Sequence, residues 1–235
     1  MLKIDLHNHT ADDPYDRIPH TTAELIDRAS ALGYDAIAVT LHDKQYDHTR
    51  LEAYAAVRGL TLVPGVERTI RGRHVLLINF PAHAALRVDG YEDVEPLKRS
   101  HPHGLVIVPH PFFPLTNCMR GWTDRYRPLF DAVEYNGCYS AAVNFNRTVP
   151  AWATANGLPL IGGSDSHRLM AFGSTFTLVD ADSRTPDAIC AAIKAGRVQL
   201  QTQPLPLPRM AEYLGRMVLG GHHPVPAQPR QVSPA

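Results

Sequence analysis

Short apolar runs rich in β-branched residues alternate along the chain with stretches of helical periodicity. Lys3–Leu6 reads as a first strand. Thr21, Thr22, Ala23 and Glu24 make a capping box that opens a helix. Leu25, Ile26, Ala29 and Leu32 lie on one face of it, and Gly33 closes it. Further strands are predicted at Asp35–Thr40, Leu60–Val63, His74–Phe80, Leu105–Val108, Ala132–Tyr135, Leu158–Ile161 and Ser174–Val179. Helices are predicted around Thr49–Val57, over Ala141–Ala155 and over Pro186–Ala195, the last with proline near its first position. Strands alternating with helices imply a largely parallel sheet, open or closed. From Gln201 the pattern changes, because seven of the 20 prolines fall in the last 35 residues. Arg209–Leu219 has the make-up of one docking helix, and Gly220 onward has that of a flexible tail.

Composition narrows the function classes. Lys+Arg and Asp+Glu are both 23, so the formal charge is zero and no global field draws the chain to nucleic acid or an acidic membrane. With 44% apolar and 20% charged residues the chain is an ordinary folded globule. No apolar run approaches the ~20 residues of a membrane span. Asp5, His7 and His9 fall where a signal peptide has its apolar stretch, which reads as a cytoplasmic protein. Cys118, Cys138 and Cys190 are odd in number and far apart, so neither a disulfide framework nor a thiolate zinc site is expected; they read as small buried hydrophobes. The unusual entry is histidine, with 13 residues.

The histidines and acids gather at predicted strand ends. His7 and His9 close the first strand, and residues i and i+2 of an extended chain face one side, so both imidazoles can address one metal. Asp165 and His167 repeat that spacing after the last buried strand. His42 and Asp43 follow the second strand, Glu67 the third, His110 a later one, and Glu134 with Asn136 another. His74 starts its strand. Side chains of this kind at the C-terminal ends of parallel strands converge on one mouth of a barrel. Burying them unused would be costly unless they are paired or metal-bound.

The segments Asp5–Thr10, Gly33–Thr40, Pro64–Glu67, His110-Pro111 and Gly163–His167 resemble, in order, the motifs of the PHP (polymerase and histidinol phosphatase) domain in its small stand-alone phosphoesterase branch. The likeness spans about residues 2–200. It implies a distorted seven-stranded (β/α)7 barrel over 1–200, with the metal site at the C-terminal ends of the strands, and a Pro-rich extension over 201–235. It further implies two to three divalent ions, with His7, His9, Glu67 and Asp165 on the first. Glu67 would bridge to a second ion completed by His74 and His110. His42 and His167 would hold the third, with an acid from the loop after His9: Asp13 is preferred, Asp12 comes close behind, and His20 is a remoter choice. Two departures from the family bear on that third position. Leu41 stands where an acid is usual before His42, and the loop after His9 lacks the common Ser-Asp-Gly.

Imidazole and carboxylate ligation without thiolate suits Zn, Mn or Fe. Three such ions outweigh the charge of Asp13, Glu67 and Asp165 enough for a bound hydroxide and a dianionic phosphate to balance the site, whereas two suit a diester or a neutral ester better. The expected reaction is hydrolysis of a small phosphorylated metabolite or nucleotide by metal-activated water, with Glu67 and Asp165 central and no serine or cysteine nucleophile. Arg68 and Arg168, and with them Arg71, are candidate phosphate clamps, set against the plain role of solvated rim charges. Glu134 and Asn136 are candidates to orient a ligand histidine. Phe112, Phe113 and Trp122 can stack on a base or pack within their loop. The competing readings are an amidohydrolase-like hydrolase of a C–N or ester bond and a non-catalytic metal-binding module. The expected partner is a small phosphorylated substrate rather than a membrane or nucleic acid.

Overall fold

In the computed structural model the described residues are 1–220, so the predicted tail beyond Gly220 lies outside them. Ten strands form two five-stranded sheets. They are β1 (Leu2–Asp5), β2 (Ala36–Ala38), β3 (Thr61–Val63), β4 (Gly65–Ile70), β5 (Arg73–Ile78), β6 (Leu105–Val108), β7 (Ala132–Asn136), β8 (Leu160–Gly163), β9 (Thr175–Val179) and β10 (Val198–Thr202). The first sheet runs β10-β9-β1-β2-β3 and the second β4-β5-β6-β7-β8. The expected mixed α/β class holds. The seven-stranded closed barrel does not describe the strand pairing, because no continuous ladder joins the two sheets among the described residues. Two isolated parallel bridges, Asn8 to Ser166 and His42 to Glu67, tie them instead.

Both sheets share one interior. Ile4 of β1, Ala38 of β2, Leu76 and Ile78 of β5, Ile107 of β6 and Ile161 of β8 belong to a single buried cluster. Helices close the outer faces. α1 (Thr22–Ala31) starts at the predicted capping box and buries Leu25, Ile26 and Ala29 against the first sheet, and Gly33 takes the positive φ that ends it. On the second sheet lie α4 (Val94–Ser100) and α6 (Val149–Ala155), with Val94, Leu97, Val149 and Ala153 buried. The remaining helices are α2 (Glu52–Ala56), α3 (Ala82–Ala85), α5 (Trp122–Tyr126), α7 (Pro186–Lys194) and α8 (Leu207–Gly220). None is long and apolar enough to cross a membrane.

Three differences from the sequence reading matter for the site. β4 is not among the predicted strands; it pairs antiparallel with β5 along its whole length. The helix expected over Ala141–Ala155 begins only at Val149, and Asn144 and Asn146 upstream bond to the end of β7 instead of to a helical ladder. β10 runs through Thr202, and Leu205 and Met210 pack with Tyr139 and Ala171, so the chain past residue 200 contributes to the core.

Candidate metal centre

The two i, i+2 motifs meet first. Asp165 N–H donates to His7 O at 2.9 Å and His9 N–H to Ser166 O at 3.3 Å, which sets His7, His9 and Asp165 side by side between the sheets. The other bridge sets His42 against Glu67, with Asp43 N–H donating to Glu67 O at 2.8 Å. The β4–β5 register explains His74. Thr69 stands opposite His74, so Glu67, two residues earlier on the same face, is its diagonal neighbour. Because β5 runs antiparallel, its first residues lie at the end where the parallel strands finish.

Glu67 is the hub. Its Oε2 lies 3.4, 3.2 and 3.2 Å from Nε2 of His7, His9 and His42. Its Oε1 lies 2.7 Å from His74 Nδ1 and 3.1 Å from His110 Nε2. Asp165 Oδ1 faces the same centre, 3.4 Å from Nε2 of both His7 and His9 and 3.5 Å from His167 Nδ1.

A second layer fixes these rings. Glu134 Oε1 is 2.8 Å from His7 Nδ1, and its Oε2 accepts the His110 backbone N–H at 2.9 Å. Asn136 Nδ2 donates to Asp165 Oδ2 at 3.1 Å and to Glu134 Oε2 at 3.2 Å. A Cβ on Gly163 would collide with the Glu134 carboxylate, so only glycine leaves room for the Glu134–His7 pair. His110 and Asp165 hold φ of +28° and +48°, conformations that L residues rarely adopt and that cluster at functional sites.

The donor set fits divalent cations. Glu67, Glu134 and Asp13 are buried, and among the described residues no Lys or Arg pairs with any of them; their ion partners are imidazoles. Burial alone would raise Glu67, but the imidazoles of His74, His7 and His42 hold it well below the ordinary carboxylate range. Burial opposes charge on His7, yet Glu134, Asp165 and Glu67 hold it well above the usual imidazole value. Such a site must gather positive charge, from protons or from metal ions. The possible ligand atoms form compact groups: His7, His9 and Glu67; His7, His110 and Asp165; His42, Glu67 and His74; His9, His42 and His167; and Asp13, Asp16 and His42.

The loop after His9 sorts the alternatives left by the sequence. Asp13 Oδ2 lies 3.1 Å from His9 Nδ1 and 3.0 Å from His42 Nδ1, so Asp13 braces two rings whose Nε2 atoms face Glu67. Asp16, which sequence reasoning passed over, puts Oδ2 2.9 Å from His167 Nε2 and 3.7 Å from His42 Nδ1. Asp12 is outside the cluster and accepts from Thr22 Oγ1. His20 is buried, and neither ring nitrogen has a hydrogen-bond partner; it belongs to none of the ligand groups.

Around the mouth, Arg68 is spent on the protein, donating to Asp43 Oδ1 at 2.5 Å and to Val88 O at 2.8 Å. Arg71 pairs with Glu92 at 2.6 Å. Arg168 follows His167 and is half-buried. Phe112 and Trp122 pack on the core of the second sheet, whereas the Phe113 ring lies 6.3 Å from that of His110. Cys118 is more than a packed hydrophobe: its Sγ is 3.1 Å from His110 Nδ1. Spacing alone gives no signal for that contact, since the turn from Leu115 to Cys118 creates it.

Comparison with known proteins bears on the fold. A family model described as PHP-associated matches residues 143–198. Over 92% of this chain and 69% of the other, the fold superposes with a TM-score of 0.66 and 19% identity on a two-domain protein from Bacteroides vulgatus containing a predicted PHP-like metal-dependent phosphoesterase. The chain has the PHP fold. The PHP resemblance read from the motifs holds. PsfC from Pseudomonas syringae aligns with this chain at a TM-score of 0.64 and 19% identity, covering 93% of it and 96% of PsfC. The lesion-specific endonuclease PfuEndoQ from Pyrococcus furiosus gives 0.58 and 18%, covering 85% of this chain and 57% of its own. No curated protein matches the sequence significantly. The PHP-associated segment spans β8 and β9, and so includes Asp165 and His167.

Proposed function

We propose that the chain is a metal-dependent phosphoesterase that hydrolyses a small phosphorylated metabolite or nucleotide. The observation that carries this is the Glu67 carboxylate, each of whose oxygens faces a separate set of imidazoles, as a group bridging two cations requires. Divalent ions bound there would supply Lewis acidity, lowering the pKa of a coordinated water and drawing charge from a phosphoryl oxygen.

The chain's own residues prepare the reaction. His7, His9, Glu67 and Asp165 would hold the first ion, Glu67, His74 and His110 the second, and His42, His167 and Asp16 the third, with Asp13 bracing His9 and His42 from behind. Glu134 keeps the His7 proton on Nδ1, so Nε2 offers its lone pair inward. Hydrolysis breaks the bond from phosphorus to the leaving oxygen, water supplying the new oxygen on phosphorus and the proton on the leaving group. Arg168 is a candidate phosphate clamp because it directly follows His167 in the chain; Arg68 donates to Asp43. A formal charge of zero favours a small substrate over a nucleic acid, although one protein of the same fold acts on DNA lesions.

Metal-replete protein should be tested against phosphomonoesters, nucleotides, phosphodiesters, lesion-bearing duplex DNA, amides and carboxylic esters. Metal-dependent release of inorganic phosphate supports the proposal. Activity confined to amides or carboxylic esters, or fewer than one ion bound per chain, would overturn it.

A further inference from the structure

Two loops frame the second-ion ligands His74 and His110, one following β6 and one following β7. The first is fastened at the site: Asn117 O accepts the His74 N–H, and Cys118, in a turn with Leu115, touches His110. The second is fastened by a pair of asparagines on either side of one aromatic ring. Asn146 is fully buried and exchanges two 3.0 Å bonds with the backbone of Asn136, the residue that also holds Asp165. Asn144 donates to Tyr135 Oη at 2.9 Å and accepts the Asn146 N–H at 2.8 Å.

Phe145 sits between these anchors and still leaves 42% of its surface exposed. Its ring lies 5.3 Å from that of Phe113, which in turn packs edge-on against His110. Leu115 and Val143, on the same two loops, are 53% and 49% exposed. Isolated apolar side chains on a surface need no explanation, but three on two pinned loops, with the buried Phe113 ring linking Phe145 to a candidate ligand, form a directed apolar rim. Of the aromatics in the loop after β6, Phe112 and Trp122 face the core, so the rim depends on Phe145, a residue outside that loop.

We propose that Phe145, Leu115 and Val143, with the buried Phe113 ring behind Phe145, form an apolar subsite for the planar aromatic part of the substrate's leaving group. This rests on the phosphoesterase reading and selects within it: the preferred ester carries a base or other aromatic ring rather than a bare sugar or polyol. The ring would lie on Phe145 while its phosphate reaches the Glu67 centre. Rigid anchoring suits this role, because stacking loses least when the platform is already ordered.

The test pairs adenosine 5′-monophosphate with ribose 5-phosphate, two dianions with the same leaving oxygen that differ only in the base. Metal-loaded wild-type protein should favour the nucleotide in kcat/KM on the order of tenfold, and in Phe145→Ala that ratio should fall toward one. Adenosine and ribose, which carry no phosphate, are titrated in parallel by calorimetry. Adenosine should bind wild type, ribose should not, and Phe145→Ala should lose the difference. Equal kcat/KM for the two phosphates, or a preference that survives in both Phe145→Ala and Leu115→Ser, overturns the subsite. If neither phosphate is hydrolysed, the adenosine titration alone decides the subsite, and the phosphoesterase reading is decided separately by the wider substrate panel. A concentration-dependent dimer of wild type that Phe145→Ala abolishes would assign the rim to self-association and overturn the proposal.

Discussion

Glu134 Oε1 stands 2.8 Å from His7 Nδ1, with both side chains buried. That contact assigns the tautomer of His7, and the other Glu134 oxygen pins the backbone of His110, so one carboxylate sets two ligands. Glu134→Gln keeps the shape but has one acceptor oxygen in place of two, so it cannot accept from both His7 Nδ1–H and the His110 N–H. Metal affinity should fall by about 10–100-fold, read by competition with a chromophoric chelator, with the fold unchanged by circular dichroism. Affinity within a factor of two of wild type would leave Glu134 a structural group only.

Glu67 and Asp165 are expected to matter more than any serine, cysteine or lysine. Glu67→Gln removes the charge shared by five imidazoles, so one ion should be lost, and turnover should drop on the order of 10³-fold. Asp165→Asn should behave alike. Ser166 is buried and donates to Asn8 Oδ1, so Ser166→Ala should keep turnover within roughly an order of magnitude. Near-normal turnover in the two carboxylate variants, with Ser166→Ala inactive, would point to covalent catalysis.

Much of this centre was legible in the sequence because strand alternation and strand ends are local properties. His7 with His9, and Asp165 with His167, carry their geometry in their spacing. What was not legible depends on pairing between distant segments. No strand was predicted between Val63 and His74, so the strand that carries Glu67 was hidden, and with it the antiparallel register that brings His74 to the right end. In the loop after His9 the sequence favours Asp13, with Asp12 close behind, and gives no signal for Asp16. Only its folded path puts Asp13 against Nδ1 atoms and Asp16 against His167. The choice of two sheets over one closed ladder is likewise a property of long-range hydrogen bonding.

The three aspartates can be told apart by metal analysis. Asp16→Asn should cost one ion per chain and spare the others. Asp13→Asn should weaken more than one, since Asp13 Oδ2 serves both His9 and His42. Asp12→Asn should leave the metal content unchanged. Loss of one ion in Asp12→Asn alone would reverse this ordering.

Cys118 should behave as a positioning residue for His110. Cys118→Ala removes the Sγ that faces Nδ1 at 3.1 Å, and Cys118→Ser keeps a polar atom on a shorter reach. Cobalt-substituted protein should show a changed visible spectrum and weaker metal retention in the alanine variant, with partial recovery in the serine variant. Identical spectra in all three proteins would reduce Cys118 to packing.

His20 gives the fold an acid-sensitive point. Burial lowers its folded pKa to about 4, outweighing the His9 backbone and Glu24, which favour the charged form. The unfolded chain, at the ordinary value near 6.5, therefore binds the proton more readily. A depressed histidine does not penalise the fold above about pH 6.5, where it is neutral in both states. Below that, protonation pulls the chain toward the unfolded state until the folded pKa near 4 is passed. Across that window wild type should lose stability with a slope of up to about one proton more than His20→Phe, which keeps a buried ring but cannot titrate. Metal release on acidification is common to both proteins and cancels in the difference. Urea unfolding of the pair at pH 7.5, 6, 5 and 4.5 measures it. Parallel stability curves would show that His20 is hydrated or paired in solution, and would remove it as the source of the acid sensitivity.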